Sequence, residues 1–163
     1  MSGGRLVVVG IGNPFRSDDA AGLEVASRLA GEVPAGVSVI ACPQEPSRLL
    51  DAFDGAAAAL LVDACASGAE PGTLHRFDAA AAAIPARVLR SSTHAFGVGE
   101  TIELARALGK LPATVIVYAV EGEEFAAGEG LSPRVEAAIG RAASSVLEDL
   151  GRLTREEPCT NAR

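Results

Sequence analysis

The chain has 163 residues, enough for one ordinary domain with a real core and short for two. Fourteen Lys and Arg against 21 Asp and Glu leave a net charge of −7, which argues against a nucleic-acid or anionic-membrane surface as a primary role, since nothing offsets phosphate repulsion. An apolar fraction of 48% with five Phe, one Tyr and no Trp excludes a disordered chain and points to a core of Ala, Val and Leu.

Leu6 to Ile11 is a continuous aliphatic run suited to a central strand of a parallel sheet, buried on both faces. Gly12-Asn13-Pro14 ends it. From Asp19 the residues Leu23, Ala26 and Leu29 recur at helical spacing until Gly31, a C-terminal cap. Val37 to Ala41 reads as a second strand, Pro46 to Phe53 as a turn or two of helix, and Ala57 to Val62 as a third buried strand that stops at Asp63. Gly68 to Gly72 is turn chemistry, Thr73 to Phe77 suits an edge strand, and Ala79 to Ala83 fits no single element. A helix beginning near Gly97 carries Ile102, Ala105 and Leu108 and ends at Gly109, and Thr114 to Val120 is the last strand. Ser132 as N-cap and Pro133 at the first position open a final helix with Val135, Ile139, Ala142, Val146 and Leu150 on its buried stripe.

Strands alternating with helices over this length predict a three-layer α/β/α fold: an open, twisted, mostly parallel sheet of about five strands with helices on both faces. The expected organisation is one domain over residues 1–150, with residues 151–163 a flexible tail. Cys42, Cys65 and Cys159 form no C-x-x-C pair, and their odd number argues against a secreted disulfide framework. The first apolar run is too short for a signal-peptide core, and no run reaches the roughly 18 residues of a membrane span. The expected compartment is the cytoplasm.

Open α/β sheets bind ligands beyond the carboxyl ends of their strands. Here those ends carry Asn13 through Asp19, then Asp63, then Glu121, a set dominated by acids. Gly10-x-Gly12 resembles the start of a dinucleotide fingerprint, but Phe15 stands where the third glycine belongs. Pro14 removes a backbone N–H, and Asp18-Asp19 put negative charge where phosphate would sit, so nucleotide binding is disfavoured. Acids at a helix start also interact well with its dipole, so one of Asp18 and Asp19 has that structural use while the other can project into the crevice. Asp63 stands equally well as a turn former or as a functional group. His94, in Ser91-Ser92-Thr93-His94, is either a capping imidazole or a site residue, whereas His75 reads as a solvated strand residue. Asp19, Asp63 and His94 together make the donor set of an open metal site, two carboxylates and one imidazole with positions left for substrate or water. Ser91 and Ser92 lack the nucleophile elbow, and Cys65 is a reactive thiol only if a base such as His94 lies beside it.

Several ordered segments carry a family resemblance: Val9 to Asp19, Leu61-Val62-Asp63-Ala64 with Glu70-Pro71-Gly72-Thr73, Ser91 to His94, Glu121-Gly122, and Gly130 to Ile139. Together they resemble the hydrogenase maturation endopeptidases over about Leu6 to Val146. The resemblance implies a twisted-sheet α/β fold and an aspartic-type endopeptidase. Such an enzyme removes the C-terminal extension of a nickel-iron hydrogenase large-subunit precursor after nickel insertion. By motif position the family's metal-associated and catalytic side chains fall on Asp19, Asp63 and His94, with nickel supplied by the substrate's active site instead of being held permanently. The implied partner is that precursor, met by a monomer in a transient contact, with no nucleic acid or membrane involved. Asp19 is a short acid at a position that some members fill with Glu, and Ala20 replaces a frequent Gly, which predicts that residue 20 is already helical. A non-catalytic assembly factor or small-ligand-binding protein of the same fold is the alternative.

Overall fold

The computed structural model describes residues 4–42, 46–86, 88 and 97–156. Its sheet has five strands: β1 (Arg5–Ile11), β2 (Val37–Cys42), β3 (Ala56–Cys65), β4 (Leu74–Asp78) and β5 (Thr114–Glu121), in the spatial order β2-β1-β3-β5-β4. β1, β2, β3 and β5 pair in parallel, and β4 closes one edge antiparallel to β5. The helices are α1 (Ala21–Leu29), α2 (Pro46–Phe53), α3 (Val98–Ala107) and α4 (Pro133–Glu156). Among the described residues no helix is long and apolar enough to cross a membrane.

The period-two alternation of the strands sorts the core into two layers. Val8, Leu60, Val62, Ile116 and Tyr118 face α1 and α4, where Val25, Leu29, Val135, Ile139 and Val146 meet them. Val7, Val9, Leu61, Val115 and Val117 face the other way, against Leu49, Phe53 and Ile102 of α2 and α3. The predicted open sheet covered on both faces is therefore the observed one, and all five predicted stripe residues of α4 are buried.

Several boundaries differ from the sequence expectation. β3 continues to Cys65 and β5 to Glu121, so Asp63 and Glu121 lie within their strands instead of just beyond them. Ser17–Ala20 forms a 3-10 turn before α1. The segment 79–83 is a turn in which Asp78 Oδ1 accepts from Ala80 N and Ala81 N at 3.1 and 3.2 Å. α4 does not fray at Arg152: it runs to Glu156, because Leu153 packs on the core and Thr154 Oγ1 donates to Leu150 O at 3.0 Å. The expected tail at 151–156 is helix, and residues 157–163 lie outside the described residues. Leu108, placed on the buried face of α3 by its spacing, is exposed beyond the helix end.

Two glycines set the spacing of the first βα unit. A Cβ at Gly10 would strike the Gly22 carbonyl and Ala26, and one at Gly22 would strike the carbonyls of Ile11 and Val62. Main chain thus rests directly on main chain where β1, β3 and α1 meet, a contact open only to residues without a side chain.

Candidate active site

In this strand order the chain leaves β1 toward β2 on one side, while β3 lies on the other. The carboxyl ends of β1 and β3 therefore flank a topological switch point, the place where open α/β sheets present a crevice. Asp19 follows β1 and Asp63 lies near the end of β3, so both predicted acids sit at that crevice.

The β1–α1 loop is organised by Asn13. Its Oδ1 accepts from Phe15 N at 2.9 Å, its carbonyl accepts from Arg16 N at 3.3 Å, and its own N donates to Asp19 O at 3.2 Å. A Cβ at Gly12 would collide with the Asp19 carbonyl, so the Gly-Asn pair closes the loop tightly around Asp19. Ser17 takes a left-handed φ of 50°, a conformation that costs about 1 kcal/mol for a residue with a side chain. It is held there by Ser17 N donating to Gly128 O at 3.0 Å and Ser17 Oγ donating to Ala126 O at 2.9 Å.

The adjacent acids have separate fates. Asp18 is fully buried and accepts from Glu123 N (2.8 Å), Glu124 N (2.9 Å), Ser132 N (2.7 Å) and Ser132 Oγ (2.7 Å). Burial alone would raise its pKa, but these bonds outweigh burial and hold it below the usual carboxylate value. Asp18 therefore binds the segments after β5 to the loop after β1, and Ser132, the expected N-cap of α4, donates its hydroxyl to Asp18. Asp19 is buried, with Arg16 Nη1 3.7 Å from its Oδ2.

Asp63 is buried, and its Oδ1 accepts from Ala64 N at 2.8 Å. Burial first, and the charge of Asp19 second, push its pKa up to about 8, with the Ala64 bond acting in the opposite direction. Asp19 and Asp63 are thus electrostatic neighbours, and at neutral pH Asp63 retains its proton. His94, the third predicted member, lies outside the described residues.

A further cluster occupies the same end and face of the sheet. Glu121 pairs across from Cys65, and Asp63 and His75 both lie across from Ala119, so Asp63, Cys65, Glu121 and His75 share one face. Glu121 Oε1 accepts from Ser67 N at 2.8 Å and Gly68 N at 3.0 Å. Its Oε2 accepts from Ser67 Oγ at 2.7 Å and Cys65 Sγ at 3.1 Å, and His75 Nε2 lies 3.1 Å away. Burial would raise the Glu121 pKa, but the bonds from Ser67, Cys65 and His75 bring it below the ordinary value. His75 is not the solvated strand residue that its position beside Arg76 suggests: it is half-buried and points inward. The signal was available two residues on, since an apolar Phe77 shares its face in an alternating strand.

The profile of the hydrogenase maturation protease family, HycI, matches residues 23–149, a span that includes Asp63 and His94 and begins just after Asp19. Comparison with functionally curated proteins returns no match. Among solved structures the chain is similar to the hydrogenase maturating endopeptidase HybD from Escherichia coli. That match has 25% identity and a TM-score of 0.78, covering 91% of this chain and 93% of the other. It is likewise similar to the nickel-iron hydrogenase maturation protease HycI from Thermococcus kodakarensis, at 25% identity and a TM-score of 0.72, covering 90% and 92%. With the sheet order, the strand-end acids and a profile match over most of its length, the chain belongs to the hydrogenase maturation protease family, endopeptidases of hydrogenase maturation.

Proposed function

We propose that this chain removes the C-terminal extension of a nickel-iron hydrogenase large-subunit precursor once nickel has been inserted, and that Asp19, Asp63 and His94 recognise the nickel carried by that substrate. The observation that carries the reading is the pairing of Asp19 with Asp63 at the β1–β3 switch point, where one acid keeps its proton to about pH 8. Two buried carboxylates that repel each other have a reason to take up a cation, and a docking metallated subunit brings one. Asp63 must lose its proton to ligate, so docking releases a proton. Without nickel a proton on Asp63 takes the place of the cation between the two acids, and the site lacks the metal that holds the scissile bond, which ties cleavage to metallation.

The reaction class is metal-assisted peptide hydrolysis. Water adds to the scissile carbonyl, its proton passes to a carboxylate of the pair, and the leaving amine takes a proton as the C–N bond breaks. Asp18 touches no substrate in this scheme: it fixes the loop from which Asp19 projects. The proposed working unit is a monomer in the cytoplasm.

The test is incubation of the purified protein with a large-subunit precursor, with and without nickel loading, followed by intact mass spectrometry of the subunit. Loss of a C-terminal peptide only from the nickel-loaded precursor is the expected result, abolished by Asp19→Asn and by His94→Ala in folded protein. Complex formation without any mass change overturns the proteolytic reading in favour of an assembly factor.

A further inference from the structure

Glu121 is a fully buried carboxylate that the proteolytic scheme does not use, and a thiol and an imidazole converge on it. We propose that Cys65, His75 and Glu121 form a binding site for a divalent transition-metal ion of borderline softness, such as zinc or cobalt(II), distinct from the Asp19–Asp63 crevice and independent of the proteolytic reading.

One ligand atom from each of the three residues lies within 4.8 Å of the other two. Sγ and Nε2 each stand 3.1 Å from the same carboxylate oxygen, close to the spacing of neighbouring ligands around an ion bound at about 2.0–2.3 Å. The donors come from β3, β4 and β5, three paired strands, so their separation is fixed by the sheet and not by a loop. Ser67 Oγ, 2.7 Å from Glu121 Oε2, adds an oxygen at the same place. A thiolate, an imidazole and a carboxylate form a donor set that zinc-type ions favour and that magnesium or calcium do not.

Charge and access agree with this assignment. Glu121 is held ionised by its hydrogen bonds, and Asp63 lies on the same face. The buried Glu121 carboxylate beside the thiol favours a cation. On binding, the Cys65 S–H bond breaks, its electron pair stays on sulfur to form the metal–thiolate bond, and the proton leaves to solvent. Thiolate and carboxylate then balance the two positive charges, and His75 switches to its Nδ1–H tautomer, its Nε2 proton being exchanged through solvent, so that the Nε2 lone pair faces the ion as neutral imidazole. The His75 side chain is 23% exposed, which gives the ion a route in.

The test uses the full-length, reduced, metal-stripped protein titrated with cobalt(II) at mildly alkaline pH. The expected result is one equivalent of cobalt with a thiolate-to-metal charge-transfer band and the visible bands of a four-coordinate ion, bleached by added zinc. Both disappear in Cys65→Ser and His75→Gln, and both persist in Asp19→Asn, Cys42→Ala and Cys159→Ala. His75→Gln is the variant that guards against misfolding, because its side chain is partly exposed. Excess zinc should raise the melting temperature of the parent protein by several degrees and leave that variant unmoved. Absence of the charge-transfer band from the parent protein, or its persistence in Cys65→Ser, overturns the proposal.

Discussion

Asp19 and Asp63 arrive at one crevice from different strands, and the charge of Asp19 adds to burial in raising the Asp63 carboxyl to about pH 8. The metal-free native state therefore keeps a proton that the unfolded chain gives up above about pH 4. A native pKa above the unfolded value means that stability falls as pH rises through this window, with a slope approaching about 1.4 kcal/mol per pH unit while only the native state is protonated. Urea unfolding of metal-free protein between about pH 5 and 8 should show this fall, and Asp63→Asn should flatten it. Parallel curves for the two proteins would mean that Asp63 is ionised in the folded state.

Asp18 accepts four hydrogen bonds and connects the β1–α1 loop to both segments that follow β5. Asp18→Ala leaves several buried donors without an acceptor and should cost about 3 kcal/mol, whereas Ser132→Ala removes one bond and should cost about 1 kcal/mol. Denaturant midpoints at constant slope measure both. A cost for Asp18→Ala no larger than that for Ser132→Ala would show that the loop does not depend on this carboxylate.

Asp149 lies on the buried stripe of α4, where it accepts a bond from Tyr118 Oη and receives Arg76 bidentately at 2.9 and 3.0 Å. Burial raises the Tyr118 pKa to about 12, so the phenol remains a donor over the working range. Asp149→Ala should cost about 2–3 kcal/mol, because it strands the Tyr118 hydroxyl in the core and takes from Arg76, on edge strand β4, its partner on α4. Asp149→Ala combined with Tyr118→Phe should cost less than the sum of the two single changes, as a double-mutant cycle will show.

Phe15 is 66% exposed on the loop that carries Asp19, an unusual place for a large apolar ring. On the proposed proteolytic reading, a ring so placed anchors the docking precursor. Phe15→Ala should raise KM for the precursor about tenfold, with kcat and melting temperature unchanged. A fall in kcat at constant KM would place Phe15 in the chemistry instead of in docking.

The aliphatic runs of β1, β3 and β5 were legible because a strand buried on both faces needs no alternation, and the stripe of α4 because helical spacing is unbroken from Val135 to Leu150. Strand ends were less legible. Apolar residues stop before hydrogen bonding does, so Asp63 and Glu121 looked to lie just beyond their strands while the ladder continued through them. Asp19 and Asp63 could be singled out because each follows a buried strand, and open α/β sheets present their crevice at strand ends. The Cys65–His75–Glu121 cluster could not, because it depends on the register of antiparallel β4 against β5, which no local pattern encodes. The different fates of Asp18 and Asp19 likewise follow from contacts with residues 123–132, far along the chain.

The bare contact of Gly10 and Gly22 carries a consequence for the two acids. Because helix and strands meet there through peptide groups alone, the gap from the β1 exit to the end of β3 is set by main-chain thickness, as a hinge pin sets the gap of a calliper. One methyl group, as in Gly22→Ala, acts as a shim at that pin: it would press on the carbonyls of Ile11 and Val62 and force α1 off the strand ends. The tolerance of the crevice is thereby specified at positions that never touch a substrate.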